Sequence, residues 1–266
     1  MSQGDTRATG HYADQLGHVD PLEAARLKAL ADAFDPETER RIGALRLPAS
    51  ARCLEVGAGS GTTAHWLAGR FPEGRITATD LDLSLMPRGG PGNLRVLRHD
   101  VTADDFPEGS FDLIHARCVL MHLPEREQVV ERMRRWLAPG GTVLLEELSN
   151  FPCAGMSETS ALRRGIEVAW GLLSSSYGME ANWGTRAPSV LHRSGYRDVS
   201  AEATLPATTP DAPVSELWRL SLMRQTPALV ERGLLSEAEI EAALAELVDP
   251  AHVSFPIAHI AVRGRK

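Results

Sequence analysis

An open α/β sheet, doubly wound by helices on both faces, is the fold class this sequence predicts. Two observations predict it. Short apolar runs alternate with helical patterns from residue 52 to residue 146, a rhythm that implies parallel pairing. Glycines and acids collect just after those runs, at the carboxyl edge where such sheets meet their ligands.

The elements follow in order. Asp20-Pro21 and Asp35-Pro36 each read as a helix start, with Asp as N-cap and Pro at the first helical position. They predict two short helices, 21–34 and 36–46. Arg-Cys-Leu-Glu-Val-Gly at 52–57 is the first strand, and 61–70 the first core helix. Ile76–Asp80 is the second strand, Leu94–Arg98 the third and Phe111–His115 the fourth. Val129, Val130, Met133, Trp136 and Leu137 share one face of a helix over 125–138, which Pro139-Gly140-Gly141 should stop. Thr142–Glu146 is the fifth strand. After residue 150 the rhythm changes to helices marked by Leu162, Ile166, Ala169, Trp170 and Leu173. Further helices follow at about 186–194, 213–231 and 236–247. The last opens on a Ser236-x-x-Glu239 capping box. Strands are expected near 197–205 and over 253–262.

Composition sets the bounds. The chain has 266 residues, 43% hydrophobic and 24% charged, enough for a full core without disulfides or metals. A formal charge of -7 argues against a nucleic-acid backbone as partner. Three widely spaced cysteines suggest neither a disulfide framework nor a zinc site. No apolar run approaches a membrane span. The expectation is a cytoplasmic protein with a small-molecule partner, without nucleic acid, membrane or metal, as a monomer or homodimer.

The chemistry is declared at Leu54–Thr63. Gly57, Gly59 and Gly61 stand at alternate positions between strand and helix. Such a turn lets a ligand lie against bare backbone. The spacing is not the G-x-G-x-x-G of nicotinamide enzymes, and no phosphate-binding Lys follows. Asp80 ends the second strand, where a carboxylate can accept both hydroxyls of a ribose. Asp100 follows the third strand and can accept from an exocyclic amine. Glu55 could meet a cation, or simply accept from nearby amides.

Together these residues resemble a known family. Glu55–Gly61 looks like motif I of the class I S-adenosylmethionine-dependent methyltransferases. Asp80-Leu81-Asp82 resembles their ribose-binding acid motif, and His99-Asp100-Val101 their adenine segment. Phe111–Arg117 with Leu120–Leu123 resembles the motif after the fourth strand, and Leu137–Gly141 the approach to the fifth. The resemblance covers roughly residues 45–150. It implies a Rossmann-like seven-stranded sheet whose last strand is antiparallel. It also implies an N-terminal helical arm over 1–46 and a methyltransferase domain over 47–266, with cap helices from about 156–195 and 213–247.

The implied cofactor is S-adenosyl-L-methionine. The implied contacts are Tyr12, Glu55, Gly57, Ala58, Gly59, Gly61, Asp80, Leu81, Asp100, Val101 and Arg117. For Arg117 a surface ion pair is the plainer role. His122, after the fourth strand, is the candidate base; packing and capping are its plainer roles. At most one of Glu146 and Glu147 should reach the pocket, since neighbours on a strand face opposite ways. One or two of Trp170, Tyr177, Trp183 and Trp218 should line a lid, the rest being core. Methyl transfer to a small, partly apolar acceptor in bacterial secondary metabolism is the expected activity. A non-methylating step such as cyclisation, or cofactor binding without turnover, stands as the alternative.

Overall fold

A computed structural model of the chain describes residues 21–266. Seven strands form one sheet: β1 (Arg52–Val56), β2 (Arg75–Asp80), β3 (Leu94–Arg98), β4 (Phe111–Arg117), β5 (Leu137–Ser149), β6 (Arg197–Thr204) and β7 (Ala258–Arg265). Their order is β3-β2-β1-β4-β5-β7-β6. The first five are parallel, and β7 runs antiparallel between β5 and β6. The order reverses beside β1, the switch point where ligands bind in sheets of this kind. This is the Rossmann-like seven-stranded arrangement, with an antiparallel last strand.

The described helices are α1 (Pro21–Ala44), α2 (Thr62–Arg70), α3 (Arg126–Trp136), α4 (Ala161–Tyr177), α5 (Trp183–Arg193), α6 (Pro213–Glu231) and α7 (Glu237–Val248). Short 3₁₀ turns at Leu120–His122 and Phe151–Gly155 follow β4 and β5. The main core holds Leu54, Ile114, Trp136, Leu145 and Trp183 between sheet and helices.

Several boundaries depart from the sequence expectation: the last strand covers Ala258–Arg265 rather than 253–262, and two others bear on the fold. Residues 21–44 form one helix rather than two, with Pro36 inside it. An interior proline costs about 3 kcal/mol. The compensation is visible on the buried face: Phe34, Thr38, Arg41 and Ile42 lie at helical spacing on both sides of the proline. They press against the sheet, so a break there would unseat all four. The second departure is at β5. It begins at Leu137, which pairs with Phe111, so Pro139-Gly140-Gly141 lies within the strand as an irregularity.

Of the helices after β5 and β6, α4, α6 and α7 stack together over the carboxyl edge, while α5 packs on β5, β6 and β7. α4 packs on α6 and α7, and α6 also packs along α1. The Ser236–Glu239 capping box opens α7 as expected. Glu246 of α7 in turn caps α4, accepting from Ser160 Oγ at 2.6 Å, Ala161 N at 2.8 Å and Leu162 N at 3.0 Å.

Candidate functional site

The site is built first by the glycine turn. Gly57, Gly59 and Gly61 have φ of 66°, 54° and 80°, left-handed values that L side chains rarely adopt. The turn is pinned to the end of β2. Ala58 N donates to Thr79 O at 2.9 Å, and Gly59 N donates to Asp80 Oδ2 at 2.8 Å. The turn carries the chain over the carboxyl ends of β1 and β2, at the mouth of a cavity of about 290 Å³.

Most of the expected contacts border this cavity: Glu55, Gly57, Ala58, Gly59, Asp80, Leu81, Asp100, Val101, Arg117 and His122. Gly61 does not. A Cβ placed on it would fall 2.3 Å from Met86 Sδ, so it faces the packed side of the turn. That side of Gly61 is packed against Met86 and His65. Tyr12 lies outside the described residues.

Each bordering acid has its own environment. Asp80 holds the turn through Gly59 and also accepts from Asp82 N at 3.2 Å. A carboxylate has about four acceptor positions, so capacity remains for ribose hydroxyls. Asp100 Oδ1 accepts from Thr102 N at 2.9 Å and Thr102 Oγ1 at 2.6 Å, and so caps its own turn. Glu55 is buried and accepts from His115 Nδ1 at 2.6 Å.

Arg117 is held beneath α1. It donates to Asp35 at 2.5 Å and to Thr38 Oγ1 at 2.9 Å, and its side chain is 8% exposed. The ion pair that Arg117 forms is thus a buried one at the cavity wall rather than a surface one. His122 sits in the 3₁₀ turn after β4. Burial, with Arg26 and Arg126 nearby, pushes its imidazole down to about 3. A neutral imidazole of such low proton affinity makes a poor general base.

Neither Glu146 nor Glu147 borders the cavity. They do face opposite ways. Glu146 turns toward α1, where Thr38 Oγ1 and Arg41 Nη1 donate to it at 2.5 and 2.7 Å. Glu147 turns to the other face and accepts from Leu120 N at 3.0 Å, bracing the turn that carries His122. Burial pushes the Glu147 carboxyl up to about 8. Both acids are spent on internal architecture, which sequence spacing alone does not reveal.

The opposite wall is helical. Leu27, Leu30, Trp170, Leu173, Leu217 and Trp218 give it an apolar surface. Trp170 and Trp218 are 5.8 Å apart by ring centroid. Trp183 is core and Tyr177 does not border the cavity, so two of the four candidate lid aromatics reach it. Polar groups enter this wall from Glu23, Arg26, Arg224 and Gln225. Arg26 clasps Glu23 through two hydrogen bonds of 2.8 and 2.7 Å, and Arg224 adds an ion pair of 3.2 Å.

Sequence reasoning passed over Glu23 and Arg26. Their signal was an acid and a base placed on the buried face of an amphipathic helix. His99, named in the sequence only as part of the adenine segment, also borders the cavity: its ring stacks on Phe106 at 4.4 Å, and both nitrogens are buried without a hydrogen-bond partner among the described residues.

The lining fits a cationic, phosphate-free cofactor. Glu55, Asp80, Asp82 and Asp100 gather at the strand ends, while the arginines of the lining, Arg26, Arg117 and Arg224, are ion-paired with Glu23 or Asp35 of α1. A sulfonium with an ammonium is attracted by such a field, whereas a pyrophosphate would be repelled.

Comparison with known proteins agrees. Residues 54–143 match a family model described as a methyltransferase domain. Methyltransferase str3 of Strobilurus tenacellus is 30% identical over 176 residues, 65% of this chain and 62% of that protein. The match thus spans about three fifths of that relative's length. Among solved structures, the cyclopropane synthase MmaA2 from Mycobacterium tuberculosis has a TM-score of 0.60 at 16% identity, covering 87% of this chain and 83% of its own. The [4+2]-cyclase SpnF has a TM-score of 0.54 at 18% identity, covering 83% and 76%. At these identities the structural likeness is one of fold. The matched segment runs from β1 into β5 of a sheet of this topology, and together they support a class I S-adenosylmethionine-dependent methyltransferase domain.

Proposed function

We propose that the cavity binds S-adenosylmethionine at the strand ends and a small acceptor against the helical wall, and that the reaction is methyl transfer between them. The observation that carries this is the division of one cavity into two chemistries. Carboxylates and bare glycine backbone line one side, and an apolar wall with two tryptophans lines the other.

The residues have distinct tasks in this reading. Sheet order sets Glu55 on β1, Asp80 at the end of β2 and Asp100 after β3 in a row across the mouth. That order suits the cofactor's ammonium, ribose and adenine in turn. Arg117, at the end of β4, borders the same cavity as Glu55 and suits the carboxylate of the same amino-acid end. Gly57, Ala58 and Gly59 let the chain pass close to it, with Leu81 and Val101 flanking the base.

S-adenosylmethionine, when bound, supplies a methyl group already activated by its sulfonium sulfur. The protein therefore has to orient an acceptor atom and keep water out. Trp170, Trp218 and Leu217 hold an apolar acceptor body, and α1 and α6 cover it. His122 can accept a hydrogen bond from the acceptor and turn its nucleophilic atom inward. An acceptor of this shape is what secondary metabolism offers.

Two measurements test the reading. Calorimetry should show binding of S-adenosylmethionine and S-adenosylhomocysteine, and none of a nicotinamide dinucleotide. Mass spectrometry across small aromatic hydroxy and amino acceptors should show a product heavier by one methyl group. The absence of cofactor binding sinks the proposal; cofactor-dependent conversion without a mass change would favour the non-methylating alternative.

A further inference from the structure

A row of charged groups crosses the sheet beneath α1, and His115 is its centre. On β4, His115 lies directly beside Glu55 of β1, and Arg117, two residues on, lies beside Glu146 of β5. The His115 ring is fully buried, with Nδ1 2.6 Å from Glu55 Oε2 and Nε2 3.0 Å from Glu146 Oε2. Glu146 is held in turn by Thr38 and Arg41 of α1. Arg41 continues to His259 of β7 at 3.2 Å and to Glu202 of β6 at 2.5 Å. Arg117 links Thr38 to Asp35. One end of this chain of contacts borders the cavity at Glu55, and the other reaches a half-exposed Glu202.

Removing a charged partner from such a network leaves a buried group unpaired, so these contacts are strongly directional. A carboxylate tied through one oxygen to a fixed ring cannot rotate freely. Its approach to a ligand is set by that ring.

We infer that His115 is a positioning residue: its imidazole, clamped by Glu146, fixes the direction in which Glu55 meets the amino-acid end of the cofactor. This rests on the reading of the cavity as an S-adenosylmethionine site. The clamp also links the cofactor to α1, because Glu146 is seated by Thr38 and Arg41. The same helix supplies Leu27 and Leu30 to the acceptor wall. Seating of α1 and alignment of Glu55 are therefore parts of one arrangement.

The test compares two ligands on the full chain by calorimetry. S-adenosylhomocysteine carries the amino-acid end; 5′-methylthioadenosine keeps the adenosine and sulfur and lacks that end. For H115Q, affinity for S-adenosylhomocysteine should fall roughly 10- to 100-fold, the scale of a charge-assisted hydrogen bond. Affinity for 5′-methylthioadenosine should stay within about twofold, within the scatter of unperturbed sites. Equal losses for both ligands would mean a collapsed cavity, and unchanged binding of both would mean no positioning role; either overturns the inference. Should H115Q fail to fold, E55Q decides the matter: it keeps the size of the side chain and should show the same selective loss, and wild-type affinity for S-adenosylhomocysteine in E55Q overturns the inference. A wild-type chain that binds neither ligand overturns the cofactor reading itself, which is a different result.

Discussion

Gly57, Gly59 and Gly61 share left-handed backbone but not surroundings, and the difference separates folding from binding. A methyl on Gly61 meets Met86 Sδ at 2.3 Å, whereas one on Gly59 meets nothing closer than Leu27 Cδ1 at 3.6 Å. Gly61→Ala should therefore lose stability by about 1–3 kcal/mol, from left-handed strain together with a shift of the flexible Met86 side chain. Gly59→Ala should lose only about 1 kcal/mol of stability but at least 10-fold in cofactor affinity, because its methyl occupies the approach to the turn. Urea unfolding beside calorimetry separates the two; equal behaviour of both variants would refute the distinction. His122 offers a second residue-scale check. Its imidazole, pushed down to about 3, is neutral throughout the usual assay range, so the kcat profile should show no limb near the ordinary histidine value. His122→Asn should lower kcat roughly 10-fold without reshaping that profile, and a wild-type limb near pH 6.5 that vanishes in the variant would restore the base. The motif acids were legible in the sequence because spacing after each strand marks the carboxyl edge. The fate of Glu146 and Glu147 was not, since it depends on α1 and on the turn at Leu120, partners remote in sequence.

At the scale of elements, local signals succeeded where they were not contested. The Ser236–Glu239 box and the glycine turn are short-range chemistry, and both form as their residues imply. Asp35-Pro36 is an equally good local signal for a new helix, yet α1 runs through it, because a continuous buried face over Phe34, Thr38 and Arg41 outweighs one lost hydrogen bond. The Glu246 cap on α4 had no local signal at all. It joins two helices about eighty residues apart in the chain, and only the folded arrangement brings it to Ser160. Glu246→Ala frees two helix-terminal N–H groups and the Ser160 hydroxyl. It should cost about 1–2 kcal/mol and lower Tm by roughly 2–6 °C, with little effect on cofactor affinity. Calorimetric scanning checks it, and an unchanged Tm would show the cap to be idle.

Across the whole molecule, buried ionisable groups make stability depend on pH in both directions. Burial opposes charge on His115, but Glu55 and Glu146 outweigh it and push the imidazole up to about 9. Burial pushes the Glu147 carboxyl up to about 8. Both groups hold protons in the folded chain that they release in the unfolded one. Stability should therefore fall as pH rises from about 7 to 9. On the acid side, burial pushes His122 and His259 down to about 3, while unfolded histidines take up protons below about pH 6.5. Despite its burial, hydrogen bonds from His115 and Thr38 hold the Glu146 carboxyl below the usual range, and its contribution is lost on acidification. Melting curves across pH should peak near neutrality, and H115Q should flatten the alkaline limb. A monotonic rise of Tm to pH 9 would contradict this. The overall architecture was legible because alternation of strand and helix fixes a parallel sheet almost by itself; the helical layer after residue 150 carries no such rhythm, and its placement follows from packing.

The division of the cavity wall between strand ends and helices has a consequence for how this chain can change. The cofactor side is built from turns whose backbone is shared with the sheet, so variation there disturbs the core. Trp170, Leu173, Leu217 and Trp218 stand on α4 and α6, which pack on one another and on neighbouring helices. On the proposed reading, substitutions at those four positions alter the shape of the recess and leave the donor side as it is, at a cost in packing where Trp170, Leu217 and Trp218 are buried. The chain is thus a two-part tool, with a fixed grip and an exchangeable jaw, and directed evolution toward new acceptors should begin at those helices.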